Sequence, residues 1–138
     1  KIGSAGNLAS NIVFGVATNN NSPFSPFVLD SYTNVRGIGN RVARGTAQGI
    51  INLEYRHTIW TTNLFFLQSN IYADYGALRT PGQKLTTMFE SENSYLYTGL
   101  GLRLQTRKVF NVVFRFDYGR SVKQSKSNGF VFGINQFF

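Results

Sequence analysis

Three charged residues far apart in the chain have the side chains that a fixed ion pair needs. Arg36 offers a planar guanidinium with five N–H donors, which suits bidentate pairing with a carboxylate, and Glu54 and Asp74 supply carboxylates. Residue parity places Glu54 and Asp74 on the same face of adjacent predicted strands, whereas Arg36 lies in a long predicted loop. If this loop folds back over the sheet, Arg36 could pair there with Glu54 or Asp74. The alternative is that Arg36 is solvated at a loop tip, and that the two acids pair with Arg56 or other bases.

Residue patterns typical of catalysis or metal binding are missing from the sequence. The single histidine, His57, has no serine or acid at the spacing of a catalytic triad, and there is no cysteine for a thiolate site. The Gly-x-Gly pairs at 37–39 and 99–101 are better explained by loop flexibility and close strand packing than by a phosphate loop. Glu90 and Glu92 alone would make only a weak calcium site. We expect no enzyme activity, no metal and no cofactor.

Six strands are predicted from apolar residues at alternate positions, bounded by turn residues. Each strand has one apolar face and one face of polar or small residues. The fourth shows this most clearly, because four leucines alternate with Tyr, Gly, Arg and Gln. The predicted strands are Leu8 to Thr18, Thr46 to Trp60, Asn63 to Ala77, Ser94 to Thr106, Val109 to Arg120 and Gly129 to Phe138.

Such alternation favours a transmembrane β-barrel, whose strands face lipid on one side and a polar lumen on the other and cross the membrane with about ten residues. A soluble sandwich also has alternating strands, so periodicity alone leaves it open. The last predicted strand has the length and alternation of a membrane strand and ends the chain on an aromatic residue, which is typical of outer-membrane barrels. Its apolar side chains, expected to face lipid, are Phe130, Phe132, Ile134 and Phe138.

Long and short connections alternate along the chain. Long ones run from Asn19 to Gly45 and from Leu78 to Asn93, and short turns lie at Thr61-Thr62 and around Arg107-Lys108. Bacterial barrels have long extracellular loops and short periplasmic turns, so the carboxyl terminus is expected on the periplasmic side. Six strands are fewer than the roughly eight of the smallest barrels, and open edges are costly in lipid. The chain is therefore expected to be the carboxyl-terminal part of a longer barrel, or to close with another chain.

The net charge of +8, from 14 Lys and Arg against 6 Asp and Glu, makes nucleic acid and anionic membrane surfaces candidate partners. The basic residues are spread over predicted loops, turns and polar faces and form no stripe the size of a nucleic-acid groove. We therefore expect no nucleic-acid partner. Solvated loops and a polar lumen account for most of the charge, and contact with anionic lipopolysaccharide is the alternative.

The long loop and the strands after it contain a series of short motifs. In order and spacing these motifs resemble the carboxyl-terminal region of the outer-membrane assembly-factor superfamily, also called the bacterial surface antigen family. That family includes two-partner secretion transporters and patatin-fused barrels. The resemblance covers nearly the whole chain, although Ile38 stands where the family usually has an aromatic residue. The motifs are Val35-Arg36-Gly37, Arg44-Gly45-Thr46-Ala47-Gln48-Gly49, Asn52-Leu53-Glu54-Tyr55-Arg56, Tyr72-Ala73-Asp74-Tyr75-Gly76 and the terminal Phe138.

The resemblance implies a 16-stranded barrel that inserts or translocates other outer-membrane or secreted proteins. Val35, Arg36 and Gly37 would form the tip of a loop that folds back into the lumen, where Arg36 is then expected to pair with Glu54 or Asp74. The terminal strand would carry an assembly signal, and its weakly paired seam with the first strand would serve as a lateral gate.

The sequence therefore predicts an all-β fold, namely a six-stranded antiparallel segment of a transmembrane β-barrel, forming one domain over residues 1–138. The predicted function is outer-membrane protein assembly or protein secretion, in the bacterial outer membrane. Expected partners are lipid and lipopolysaccharide, a client or secreted polypeptide, and the remaining strands of the barrel. Two alternatives stay open: the barrel anchors an upstream enzyme such as a patatin-like lipase, or it is a passive pore.

Overall fold

A computed structural model of the chain describes residues 6–39, 43–107, 112–123 and 128–135. The described part consists of strands, loops and one short 3-10 helix. It contains no helix with the length and apolar character needed to cross a membrane. The strands are β1 (Gly6–Val16), β2 (Phe27–Leu29), β3 (Ala43–Gly45), β4 (Ala47–Thr61), β5 (Phe65–Arg79), β6 (Ser94–Thr106), β7 (Val113–Ser121) and β8 (Asn128–Ile134), and the 3-10 helix spans Leu85–Phe89.

Six strands form one antiparallel sheet in the order β1-β4-β5-β6-β7-β8. β2 and β3 pair with each other inside the long loop between β1 and β4. Each of the six strands lies beside its neighbour in the chain, so the sheet is a meander of hairpins. It is open, with β1 and β8 as its edges. The prediction of an all-β fold with a six-stranded antiparallel sheet is confirmed.

The observed strand bounds differ from the predicted ones mainly at the end of the chain. β6 matches at both ends, whereas β7 begins at Val113 rather than Val109. β8 stops at Ile134 because Asn135 has a positive φ of 77°, which interrupts the extended backbone. Residues 109–111 and 136–138, including Phe138, lie outside the described residues. The sequence also gave no indication of β2 and β3, since three-residue strands are too short to show alternation.

One face of the sheet has exposed apolar side chains, and the other has buried charged side chains. On one face, Phe130 is 69% and Leu100 63% exposed. On the other face, Glu54, Asp74 and Asp117 are completely buried. We call these the apolar face and the polar face. Exposed apolar side chains lie on all six strands of the sheet: Leu8, Ile12, Phe14, Val16, Ile51, Leu53, Ile71, Leu100, Leu102, Phe114, Phe116, Phe130, Phe132 and Ile134.

The long loop between β1 and β4 covers part of the polar face. It contributes three apolar side chains to a small core at the end of the sheet where the long loops lie. Three sheet residues complete this core, which fixes the loop against the polar face through the burial of apolar surface. The loop side chains are Leu29, Val35 and Ile38, and the sheet side chains are Ile50, Leu78 and Tyr97.

Candidate functional site

Arg36 lies at the tip of the long loop and is completely buried. Its Nε donates to Asp74 Oδ2 at 2.8 Å and its Nη2 to Asp74 Oδ1 at 2.9 Å, which is a bidentate pair. Its Nη1 donates to Glu54 Oε2. The backbone N–H of Arg36 also donates to Asp74 Oδ2 at 3.0 Å, so one carboxylate holds both the main chain and the side chain of the tip. The predicted ion pair therefore forms with both acids.

Hydrogen bonds within the loop shape the turn that presents Arg36. Asp30 Oδ1 accepts from the backbone N–H of Thr33 at 2.6 Å, as aspartates at turns commonly do. The backbone N–H of Val35 donates to the carbonyl of Asp30 at 3.0 Å. Gly37 then takes a φ of 89°, which residues with a side chain rarely adopt. The chain therefore reverses directly after Arg36.

Glu54 is shared by three arginines. Its Oε1 accepts from Arg56 Nε at 2.6 Å, and its Oε2 accepts from Arg103 Nη2 at 2.8 Å and from Arg36. All four side chains are buried. Taking charges out of water is costly unless they are paired and hydrogen-bonded, and this carboxylate meets that requirement. The alternative of a solvated Arg36 is therefore wrong, although Glu54 binds Arg56 as well as Arg36.

Tyr72 provides a second surface for Arg36. The Cζ of Arg36 lies 3.6 Å from the centroid of the Tyr72 ring, within the range of a cation–π contact. The ring lies over Gly99, where an added Cβ would overlap the end of the tyrosine side chain. Parity placed Tyr72 on the polar face, but the contact with Arg36 was not predicted.

Three glycines, Gly99 of β6, Gly119 of β7 and Gly129 of β8, are neighbours in the strand register, and we call them the glycine row. A Cβ on Gly119 would lie 2.7 Å from the carbonyl oxygen of Arg36 and 3.0 Å from the Cα of Gly37. A Cβ on Gly129 would lie 3.2 Å from the carbonyl oxygen of Gly37. The backbone of the loop tip therefore rests on strands that have no side chain at this level.

A second group of buried charges lies on the polar face toward the short-turn end. Arg103 and Arg115 are directly opposite each other in the register. Arg115 donates to the carbonyl of Tyr32 at 3.1 Å, which gives the loop another attachment. Asp117 accepts a hydrogen bond from Asn70 at 3.2 Å. This concentration of charge would be costly to place in lipid.

The protonation of Arg36 follows from its surroundings. Burial alone would lower the pKa of Arg36, but the hydrogen bond and charge of Asp74, together with the charge of Glu54, raise it above the usual arginine range. Arg36 is therefore cationic at any physiological pH. The loop tip is held by a permanent charge rather than by a titrating switch.

The structure brings the predicted loop tip and its two acids together, and it places the apolar residues of β8 elsewhere. Val35 lies in the small core, Arg36 and Gly37 rest on the sheet, and Glu54 and Asp74 hold the arginine. The aromatic row of β8 points away from this cluster, with Phe130, Phe132 and Ile134 exposed on the apolar face, and Phe138 is outside the described residues.

Sequence reasoning did not identify Asn52 as part of the site. Its Nδ2 donates to the carbonyl of Asn34 at 2.8 Å and to Asp74 Oδ1 at 2.9 Å. It also overlooked the glycine row as a seat for the loop. The available indication was that Gly99, Gly119 and Gly129 all have inward parity on successive strands.

The contacts of Arg36 with Asp74, Glu54 and Tyr72 can hold the long loop across the polar face. The charged groups of this cluster bind one another. Within the described ranges, no group of three or more His, Cys, Asp or Glu side chains is placed to bind a metal. No family model, curated protein or solved structure matches the chain. The resemblance to the outer-membrane assembly-factor superfamily therefore stays a prediction from the sequence motifs.

Proposed function

We propose that the chain is the carboxyl-terminal part of a transmembrane β-barrel in the bacterial outer membrane, and that this barrel inserts or translocates other polypeptides. One observation carries the proposal. Arg36 pairs in a buried site with Glu54 and Asp74 on the polar face of a sheet whose opposite face is apolar and exposed. A loop pinned in this way would lie in the lumen, and the apolar face would meet lipid.

The apolar face supports a location in lipid on energetic grounds. A large apolar side chain left in water forgoes about 1.5–3 kcal/mol of burial free energy, and exposed side chains of this kind lie on all six strands of the sheet. A monomeric soluble protein rarely exposes an apolar patch of that extent. In a bilayer the same side chains are favourably solvated.

The edges of the sheet support additional strands. Among the described strands, β1 pairs only with β4, and β8 pairs only with β7. Unpaired backbone groups cost several kcal/mol each in a bilayer core, so a membrane sheet has to close. Strands from an upstream segment or from another chain would complete the barrel, which the sequence resemblance sets at 16 strands.

The loop tip contacts both the middle strands of the sheet and the edge strand β8. Arg36 is pinned to β4 and β5, while Gly37 packs on Gly119 of β7 and Gly129 of β8. β8 has 7 residues against 15 in each of β4 and β5. A docked tip would thus brace a short last strand, and its release would loosen the seam through which a client strand could enter.

The proposal can be tested with the full-length protein that contains this chain, reconstituted in liposomes. The client is an unfolded eight-stranded barrel, and its folding is followed by gel mobility. We expect faster folding than with empty liposomes, and we expect Arg36→Ala to remove the acceleration. Arg44→Ala is the matched control, because Arg44 is an exposed arginine of the same loop.

The alternatives give different results in that experiment. Ion conductance without any acceleration of client folding would identify a passive pore. The absence of both, together with an enzyme domain upstream, would identify an anchor. An acceleration that Arg36→Ala leaves unchanged would show that the loop has no part in the activity.

A further inference from the structure

A pocket opens on the apolar face, on the opposite side of the sheet from Arg36. Its volume is about 140 Å³, and it lies at the end of the sheet where the long loops lie. It is formed by β1, β4, β5 and the 3-10 helix at Leu85–Phe89. Its lining includes Ile12, Phe14, Gly49, Ile51, Tyr75 and Met88.

The 3-10 helix forms the outer wall of this pocket because one side chain anchors it to the sheet. Met88 is completely buried, and its methyl carbon lies 3.2 Å from the position of a Cβ on Gly49. The neighbouring Phe89 is 62% exposed and also lines the pocket. Asn93 Nδ2 donates to the carbonyl of Thr87 at 2.9 Å, which fixes the end of the helix. The helix therefore closes one side of the pocket with the apolar side chains of Met88 and Phe89.

A positive charge stands beside the pocket. The Nζ of Lys123 lies 5.9 Å from the ring centroid of Tyr75, which lines the pocket. It also donates to Ser94 Oγ at 2.7 Å, and Ser94 Oγ donates to the carbonyl of Glu90, the residue after Phe89. Within the described residues no carboxylate lies in ion-pair distance of Lys123. An apolar pocket and a cationic group are thus adjacent.

We propose that this pocket binds an acyl chain of an anionic lipid, with the phosphate of that lipid beside Lys123. The inference rests on the proposed function, because it requires the apolar face to lie in a bilayer. Apolar cavities of roughly 150 Å³ stay dry and accept small apolar groups, and cationic side chains near a membrane surface attract anionic lipid head groups. The bound lipid would hold the 3-10 helix against the apolar face of the sheet, opposite the polar face on which Arg36 is bound.

The test uses the full-length protein in nanodiscs that contain a trace of phosphatidylglycerol with a diazirine in the upper part of one acyl chain. The zwitterionic phosphatidylcholine analogue is used in parallel, and labelled peptides are identified by mass spectrometry. We expect phosphatidylglycerol to label the peptides around Ile12–Phe14 and Leu85–Phe89 several-fold more than the peptide around Leu100. Ile12→Trp, which fills the pocket, should remove the excess, whereas Leu100→Trp should not. Lys123→Gln should reduce labelling by phosphatidylglycerol to the level of phosphatidylcholine.

Three outcomes decide between the inference and the function on which it rests. Even labelling over the whole apolar face, with no effect of Ile12→Trp, would overturn the pocket while leaving the membrane location intact. Equal labelling by the two lipids in the unaltered protein would overturn the role of Lys123. Absence of labelling at the pocket and at Leu100 alike, in protein shown to be folded by its gel mobility, would overturn the membrane location itself.

Discussion

The guanidinium carbon of Arg36 lies 3.6 Å from the centroid of the Tyr72 ring. Asp74 and Glu54 bind the edge of the same guanidinium through its N–H groups. The group is therefore fixed in position by the ring and in orientation by the two carboxylates. This use of both the plane and the donors of arginine explains why another cation would be a poor replacement.

Arg36→Lys should release the loop although it keeps the charge. A lysine has no planar fork for Asp74 and no guanidinium face for Tyr72. Arg36→Ala should be worse, at about 3–5 kcal/mol of docking free energy, because it leaves buried acids without their partner. Limited proteolysis of the loop measures both effects. Protection in Arg36→Lys equal to that of the unaltered protein would contradict the importance of the fork.

Tyr72→Phe and Tyr72→Leu should differ. Among the described residues the Tyr72 hydroxyl has no hydrogen-bond partner, so Tyr72→Phe removes a buried polar group and keeps the ring. We expect its stability in urea to be unchanged or slightly raised. Tyr72→Leu loses the cation–π contact, worth up to about 2 kcal/mol in a desolvated site, and should loosen the loop. Equal destabilisation by both substitutions would show that the hydroxyl, rather than the ring, matters.

Substitutions in the glycine row should displace the loop in a graded way. Gly119→Ala places a Cβ 2.7 Å from the carbonyl oxygen of Arg36, whereas Gly129→Ala places one 3.2 Å from the carbonyl oxygen of Gly37. The first has to move backbone, and the second needs only a few tenths of an ångström. Gly119→Ala should therefore expose the loop to protease more than Gly129→Ala does. The reverse order would show that the tip does not rest on Gly119.

Side chains of β6 should alternate between lipid and lumen. Spin labels at Leu100 and Leu102, both exposed on the apolar face, should be accessible to oxygen dissolved in the bilayer. A label at Gln105, of inward parity, should instead be accessible to a water-soluble nickel chelate. Equal accessibility of the three labels to oxygen would refute the assignment of the faces.

Amides of β8 should exchange with deuterated solvent faster than those of β5. In the part of the chain that the structure describes, β8 is paired on one side only, whereas β5 lies between β4 and β6. If the seam opens, the difference should persist in the complete barrel, where upstream strands cover the free edge. Equal protection of β5 and β8 in that barrel would argue against an opening seam.

Features that depend on residue parity could be predicted from the sequence. Alternation identified the six long strands, and it placed Glu54 and Asp74 on one face and Leu100 and Phe130 on the other. The pairing of Arg36 with these acids was predicted from the complementarity of a planar donor and two inward carboxylates, together with the sequence resemblance, which implied that the loop folds back over the sheet. Parity survives small errors in strand bounds, since a shift of two residues leaves the face unchanged.

Contacts between segments that are distant in the sequence could not be predicted. The contact of Tyr72 with Arg36 and the seat of Gly37 on Gly119 require the loop path and the strand register together. The pocket beside Met88 forms because the 3-10 helix packs on the apolar face. A five-residue helix is too short to show a periodic pattern in the sequence. The end of β8 was missed because Asn135 adopts a positive φ that its residue type permits but does not impose.

The position of the loop tip over the glycine row also bears on the order in which contacts form during folding. The tip lies between β2 and β3, while two of the glycines under it, Gly119 and Gly129, belong to β7 and β8. Contacts between such distant segments form slowly, because the intervening chain has to be ordered first. The surface under the tip is therefore complete only once β7 and β8 have joined the sheet. A sheet that has not yet taken up these two strands lacks the glycines on which Gly37 rests.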